Sequence, residues 1–186
     1  MHRVVAVAAL AACFAVSTIS AQSASTPEEF AQSYIAAMQT ADWSTAAQLM
    51  HPDALAEFKT MFVPLVGMDK SGEVAQSLFG AADSAALANT PADSVFARFM
   101  TAITGASPDL WELMSGAQTE IIGHVLEGDT GIAHVVFRMH MTMDGITARK
   151  VDAMPVKRYE GQWRALLTGN IEGMAAAIAK ALASGQ

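Results

Sequence analysis

Cysteine is all but missing from this chain: Cys13 is the single one in 186 residues, and it stands inside an apolar N-terminal run. An internal disulfide, a cysteine nucleophile beyond that run and a zinc–thiolate cluster are therefore excluded, and stability has to come from a packed core. Charge is also scarce, at 16% of residues, and leans acidic, with 11 Lys and Arg against 18 Asp and Glu. A net charge of -7 is the wrong sign for a surface that neutralises phosphates, so nucleic acid is not an expected partner. A Gly-rich phosphate loop, a Ser-His-Asp set and a histidine-rich metal motif are all missing, so neither a cofactor nor a metal is expected. Internal repeats and long polar linkers are missing too.

What is abundant is apolar surface, at 52% of residues, enough for one well-packed domain. The opening MHRVVAVAALAACFAVSTISAQS has a His-Arg start, an apolar run from Val4 to Val16 and small residues leading to Ala21. That order predicts a signal peptide over residues 1–21 and a periplasmic or secreted mature domain over 22–186. A spanning helix needs roughly 20 apolar residues, and no second such run follows. Leu10-Ala11-Ala12-Cys13 also fits a lipobox, in which Cys13 would carry a lipid anchor. The short lead before the box and the small-residue stretch from Phe14 favour cleavage at Ala21 instead. Losing Arg3 with the signal takes the charge from -7 to -8.

The mature part divides into helices followed by strands, the order of an α+β fold. Thr26-Pro27-Glu28-Glu29 supplies a cap, a first-turn proline and a capping-box glutamate, predicting a helix from Pro27 to about Thr40. A second begins near Asp42, carries Trp43, Ala46, Ala47 and Met50, and stops at His51-Pro52. A third runs on from Asp53, with Leu55, Phe58, Met61 and Phe62 on one side. From Gly67 to Gly116 a helical insertion has its own start signals, Thr90-Pro91 and Ser107-Pro108, each setting a hydroxyl cap before a proline. Shorter helices are expected over Gly72–Gly80 and Pro108–Met114.

From Ala117 the hydrophobic period changes to two. Strands are expected over Gln118–Leu126, Ile132–Met143, Ile146–Tyr159 and Gln162–Leu167, joined by Gly-Asp, Asp-Gly and Glu-Gly turns into a four-stranded antiparallel meander. Ile171, Met174, Ala175, Ile178 and Leu182 then return to helical spacing, predicting a C-terminal helix that packs on the domain or on a partner.

Three stretches, Tyr34-Ile35-Ala36-Ala37-Met38, Ala41-Asp42-Trp43 and Leu49-Met50-His51-Pro52-Asp53-Ala54-Leu55, form an opening that resembles nuclear transport factor 2-like (SnoaL-like) domains. Met154 to Arg164, with Gly161 ahead of Trp163, looks like the paired final strands of the same superfamily. The resemblance implies N-terminal helices wrapped by a curved sheet into a cone whose mouth can hold a small molecule. It also implies company that is functionally mixed: isomerases, dehydratases, hydrolases and domains without catalysis. Two features depart from it, the Gly67–Gly116 insertion and the helix after the last strand, and either can fill or cover the cone.

Along Ile132–Met143, alternation sends Ala133, Val135, Phe137, Met139, Met141 and Met143 to one face and His134, Arg138, His140 and Thr142 to the other. The methionines read as core or pocket lining, since thioethers are flexible fillers, rather than as Cu(I) ligands. His134 and His140 are six residues apart, roughly 20 Å along a strand, too far to share a metal. The opposite face reads as solvated or dimer-forming.

Asp152 shares parity with Met154 and Val156, so in an apolar cone its pKa would rise, as a general base requires. Ketosteroid isomerases of the superfamily use an aspartate base in such a cone, although their motif is not matched here residue by residue. Pairing with Lys150, Arg149 or Arg138 is the competing reading. Tyr34 and His51 complete the candidate catalytic set, and Met139, Met141, Met154 and Trp43 the candidate ligand lining. Tyr34 and Trp43 also read as core residues with a polar handle; in the turn around Pro52, Asp53 reads as an ordinary cap of the third helix and His51 as covering the end of the second. The expected function is a small-ligand or protein-binding module, with a possible apolar ligand or protein partner and a homodimer through the exposed sheet face. The alternative is a cofactor-free isomerase, dehydratase or hydrolase.

Overall fold

The computed structural model describes residues 26–143 and 146–184; the expected signal peptide, Cys13 and the Asp144-Gly145 turn lie outside them. Helices α1 (Pro27–Gln39), α2 (Trp43–Gln48), α3 (Pro52–Met68), α4 (Glu73–Phe79), α5 (Ser84–Asn89), α6 (Ala92–Ala106) and α7 (Pro108–Ser115) precede the strands. Strands β1 (Gln118–Leu126), β2 (Ile132–Met143), β3 (Ile146–Tyr159) and β4 (Gln162–Ala165) follow, and α8 (Gly169–Ser184) closes the chain. The fold is α+β, with helices packed on a curved four-stranded antiparallel sheet and a C-terminal helix.

Local chemistry sets most of these boundaries. At α1 the Glu29 N–H donates to Thr26 Oγ1 at 3.2 Å while the Thr26 N–H donates to Glu29 Oε2 at 3.4 Å, so the capping box forms as the sequence requires. The hydroxyl caps expected at α6 and α7 do not form. Thr90 stays extended, as a residue before proline must, and turns its hydroxyl back to the Ala86 carbonyl at 2.9 Å, closing α5 instead of opening α6.

The sheet is a meander in the order β1-β2-β3-β4. Glu160 and Gly161 join β3 to β4 with φ of 51° and 79°, the two left-handed positions that a tight hairpin of matching twist demands. Between Ile121 and Gly123 the β1–β2 register slips at a bulge, which bends the strand and adds curvature. The last strand ends at Ala165 rather than Leu167; the Leu166 N–H still donates to the Pro155 carbonyl of β3 at 2.9 Å before the chain turns into α8.

α1 lies on the concave face of the sheet, where Ala133, Val135, Met154, Val156 and Ala165 are buried with Phe30, Ala31 and Ala37. Of the insertion, α7 reaches the sheet, touching β2 and α1. α4, α5 and α6 pack instead behind α2 and α3, adding Phe79, Leu87, Phe96 and Phe99 to Phe58 and Phe62. Phe58, Phe62, Phe79 and Phe99 are fully buried, with ring centroids 4.6 to 5.7 Å apart where they meet. α8 packs on α3.

Candidate functional site

His51 sits where the helical layer is stitched to the edge of the sheet. Its N–H donates to the Ala165 carbonyl at 2.8 Å, and the Ala165 N–H donates to Leu49 at 3.0 Å, a short parallel bridge that holds the α2–α3 junction against β4. The imidazole is 4% exposed and Nδ1 accepts the Asp53 N–H at 3.2 Å. Asp53 was expected to cap the third helix, but the cap is His51 itself, one residue before a helix that starts at Pro52. The ring meets Tyr159 edge-on at 5.2 Å.

Asp152 belongs to the concave side of the sheet by its pairing with Phe137, yet it stays a third exposed. Lys150 Nζ donates to its Oδ2 at 2.6 Å and the Ala153 N–H to its Oδ1 at 2.9 Å. The Lys150 ammonium holds the carboxyl below its ordinary range, outweighing the opposing effect of partial burial. The raised pKa that would suit Asp152 to base catalysis near neutrality is therefore not what its surroundings provide. Tyr34, on α1, stacks on Phe30 at 6.2 Å, and burial pushes its hydroxyl up to about 12.

The residues of the expected ligand lining divide by depth. Trp43 and Met154 are buried, and Trp43 meets Trp111 of α7 edge-on at 5.2 Å. Met139 and Met141 are half-buried near the far end of β2, where the strand outruns the core. Two depressions mark the surface. One, of about 510 Å³, is an apolar groove along α3 lined by Ala56, Thr60, Val63 and Pro64, with Lys59 beside it bound to the Ala88 and Thr90 carbonyls. The other, of about 870 Å³, lies where α7 meets the end of the sheet and is lined by Asp109, Glu112, Gln118, His140, Thr142 and Thr147. Neither is lined by Asp152, Tyr34, His51 or the four ligand-lining candidates. Among the described residues no group of three His, Cys, Asp or Glu converges as metal ligands would.

The convex face of the sheet carries exposed aliphatic side chains. Ile122 is 51% exposed, Val125 63% and Val151 59%. The register carries this band from β1 to β3 through Val136 and Ala153, with the Arg138–Glu120 ion pair at 2.7 Å beside it. Sequence reasoning identified this face from His134, Arg138 and His140 but did not single out the aliphatic residues. The signal was present in Ile121-Ile122, two adjacent large residues that a strand must send to opposite faces. No family model, curated protein or solved structure matches the chain.

Proposed function

We propose that this chain is a protein-binding module of nuclear transport factor 2-like architecture, acting in the periplasm or outside the cell and docking its partner on the convex face of the sheet. The observation that carries this reading is the exposed aliphatic band of Ile122, Val125 and Val151 on that face. Scattered apolar residues are normal on a surface, but a contiguous band rimmed by charge marks an interaction site. Self-association to a homodimer is one form of that docking. The concave side supports a pocket less well, because α1 packs directly into it and Trp43 and Met154 are spent on the core. The enzyme alternative loses support at Asp152, whose carboxyl is tied to Lys150. A small apolar ligand has support only at the half-buried Met139 and Met141.

Radical footprinting with mass spectrometry tests the docking reading. In the producing host, Ile122, Val125 and Val151 should be protected relative to the purified, dilute chain. Equal labelling in both samples would remove the reading.

A further inference from the structure

We infer that the cleft between α7 and the far end of β2 receives an extended peptide segment carrying lysine or arginine, which adds to the sheet as a short strand in line with β1. This goes beyond the convex-face docking and does not depend on it. β1 pairs with β2 only as far as Gln118 opposite His140, whereas β2 goes on pairing with β3 to Met143 opposite Ile146. Met141, Thr142 and Met143 therefore have a strand on one side alone. In an antiparallel ladder alternate residues turn their N–H and C=O away from the paired neighbour, so this stretch, roughly 10 Å long, offers open backbone groups. Among the described residues no backbone group from outside the sheet bonds to them.

The other edges of the sheet are protected. β4 is bridged on its outer side through the Met50–Ala165 pair and the bond from the His51 N–H to the Ala165 carbonyl. β1 carries the bulge between Ile121 and Gly123, a distortion that blunts an edge against strand addition. The end of β2 has neither device.

The cavity of about 870 Å³ lies at this end, lined by residues of α7 and by Gln118, His140, Thr142 and Thr147 of the sheet. Asp109, Glu112 and Leu113 follow one another at the spacing that puts them on one face of α7, with Gly116 at its cap, and all four line the cavity. The Thr142 and Thr147 hydroxyls bond to each other at 3.1 Å and keep lone pairs for a further donor. An extended chain entering here finds backbone partners on β2, hydroxyl oxygens beside them and carboxylates across the cleft. A small amine would satisfy the carboxylates and leave the strand open; a peptide satisfies both.

Charge selects which peptide. Asp109 and Glu112 make no ion pair or side-chain hydrogen bond among the described residues. No lysine or arginine occurs in the sequence between Arg98 and Arg138, and none lines the cavity; Arg149, opposite His140 in the register, lies outside the lining. A lysine or arginine side chain on the incoming strand supplies the missing positive charge. Residues 27–116, the helical part, hold eleven acidic against three basic side chains, so a basic segment is also steered towards this side of the molecule.

Fluorescence anisotropy of a labelled, end-blocked hexapeptide of alternating lysine and valine, titrated with the purified chain, tests this, with circular dichroism confirming that each variant is folded. The peptide should bind saturably, and the same peptide with glutamate in place of lysine should not. Asp109→Asn combined with Glu112→Gln should weaken binding about tenfold or more. Glu57→Gln combined with Asp129→Asn removes the same charge elsewhere and should leave binding unchanged. N-methylation of the peptide's backbone amides, which removes the donors a strand needs, should abolish it. Absence of saturable binding by the lysine peptide overturns the inference, as does binding untouched by the Asp109 and Glu112 substitutions. Binding that survives N-methylation, or that falls equally in the Glu57 and Asp129 pair, is unspecific charge attraction and overturns strand addition. None of these outcomes bears on docking at Ile122, Val125 and Val151, which footprinting decides.

Discussion

Replacing His51 with alanine removes three things whose sizes can be set against one another. The helix cap is the first: Nδ1 takes up the Asp53 N–H, one of the orphan donors of α3, and losing such a cap costs about 1 kcal/mol. The second is the edge-on contact with Tyr159 at 5.2 Å, of order 0.5–1.5 kcal/mol. The third is the space left where a ring that was 4% exposed has gone, about 1 kcal/mol more if the neighbours close in partly. Together the loss should be about 3 kcal/mol. Asparagine keeps a side-chain acceptor at the cap position and forfeits the ring, so His51→Asn should cost about 1 kcal/mol less than His51→Ala. Urea unfolding of the three proteins, followed by circular dichroism, measures both differences as shifts in midpoint at constant slope. Equal destabilisation by alanine and asparagine would show that Nδ1 is not the cap. A loss under about 1 kcal/mol for alanine would contradict both the burial of the ring and its contact with Tyr159.

Two further perturbations probe the core and the Asp152 ion pair. Phe99→Ala, at the centre of the phenylalanine cluster, should cost about 3–5 kcal/mol in the same unfolding assay, and a loss under about 1 kcal/mol would mean that the insertion does not share the core. Asp152 has its carboxyl pKa lowered in the folded chain, so its stabilisation is present above the ordinary carboxylate pKa and fades as pH falls through the lowered folded value. Lys150→Met should raise the Asp152 pKa and shrink that acid-side fading, read by NMR titration of the side-chain carboxyl. An unchanged titration would contradict the 2.6 Å ion pair.

Much of the architecture was legible because it is locally encoded. A capping box, prolines one residue inside helix starts, and a change of period from 3.6 to 2 are instructions that act over a few residues, and the strands β1 to β3 begin and end where that period says. The departures arise where one group had two partners to choose from. The Thr90 hydroxyl was free to cap the helix after it or to bond back to the helix before it, and the extended backbone required ahead of Pro91 left Ala86 in reach. At the α2–α3 junction, Asp53 was the better cap by residue type, but the bridge to Ala165 turned the His51 ring inward over the helix start.

The sequence by itself determined the class of fold, the order of the sheet and the inward stripe of β2, because those follow from propensity and periodicity along one segment. It left Asp152 between two fates, buried base or ion-paired surface group. Only tertiary structure decided between them, since the outcome depended on where the core ends beneath β3 and on which side chain, Lys150, reaches the carboxyl first. Tertiary structure alone likewise set Glu112 and Thr142 on the walls of one cavity. They lie thirty residues apart in the chain, and no local rule brings them together; the register of β1 on β2, which stops at Gln118 while β2 runs on beside β3, does.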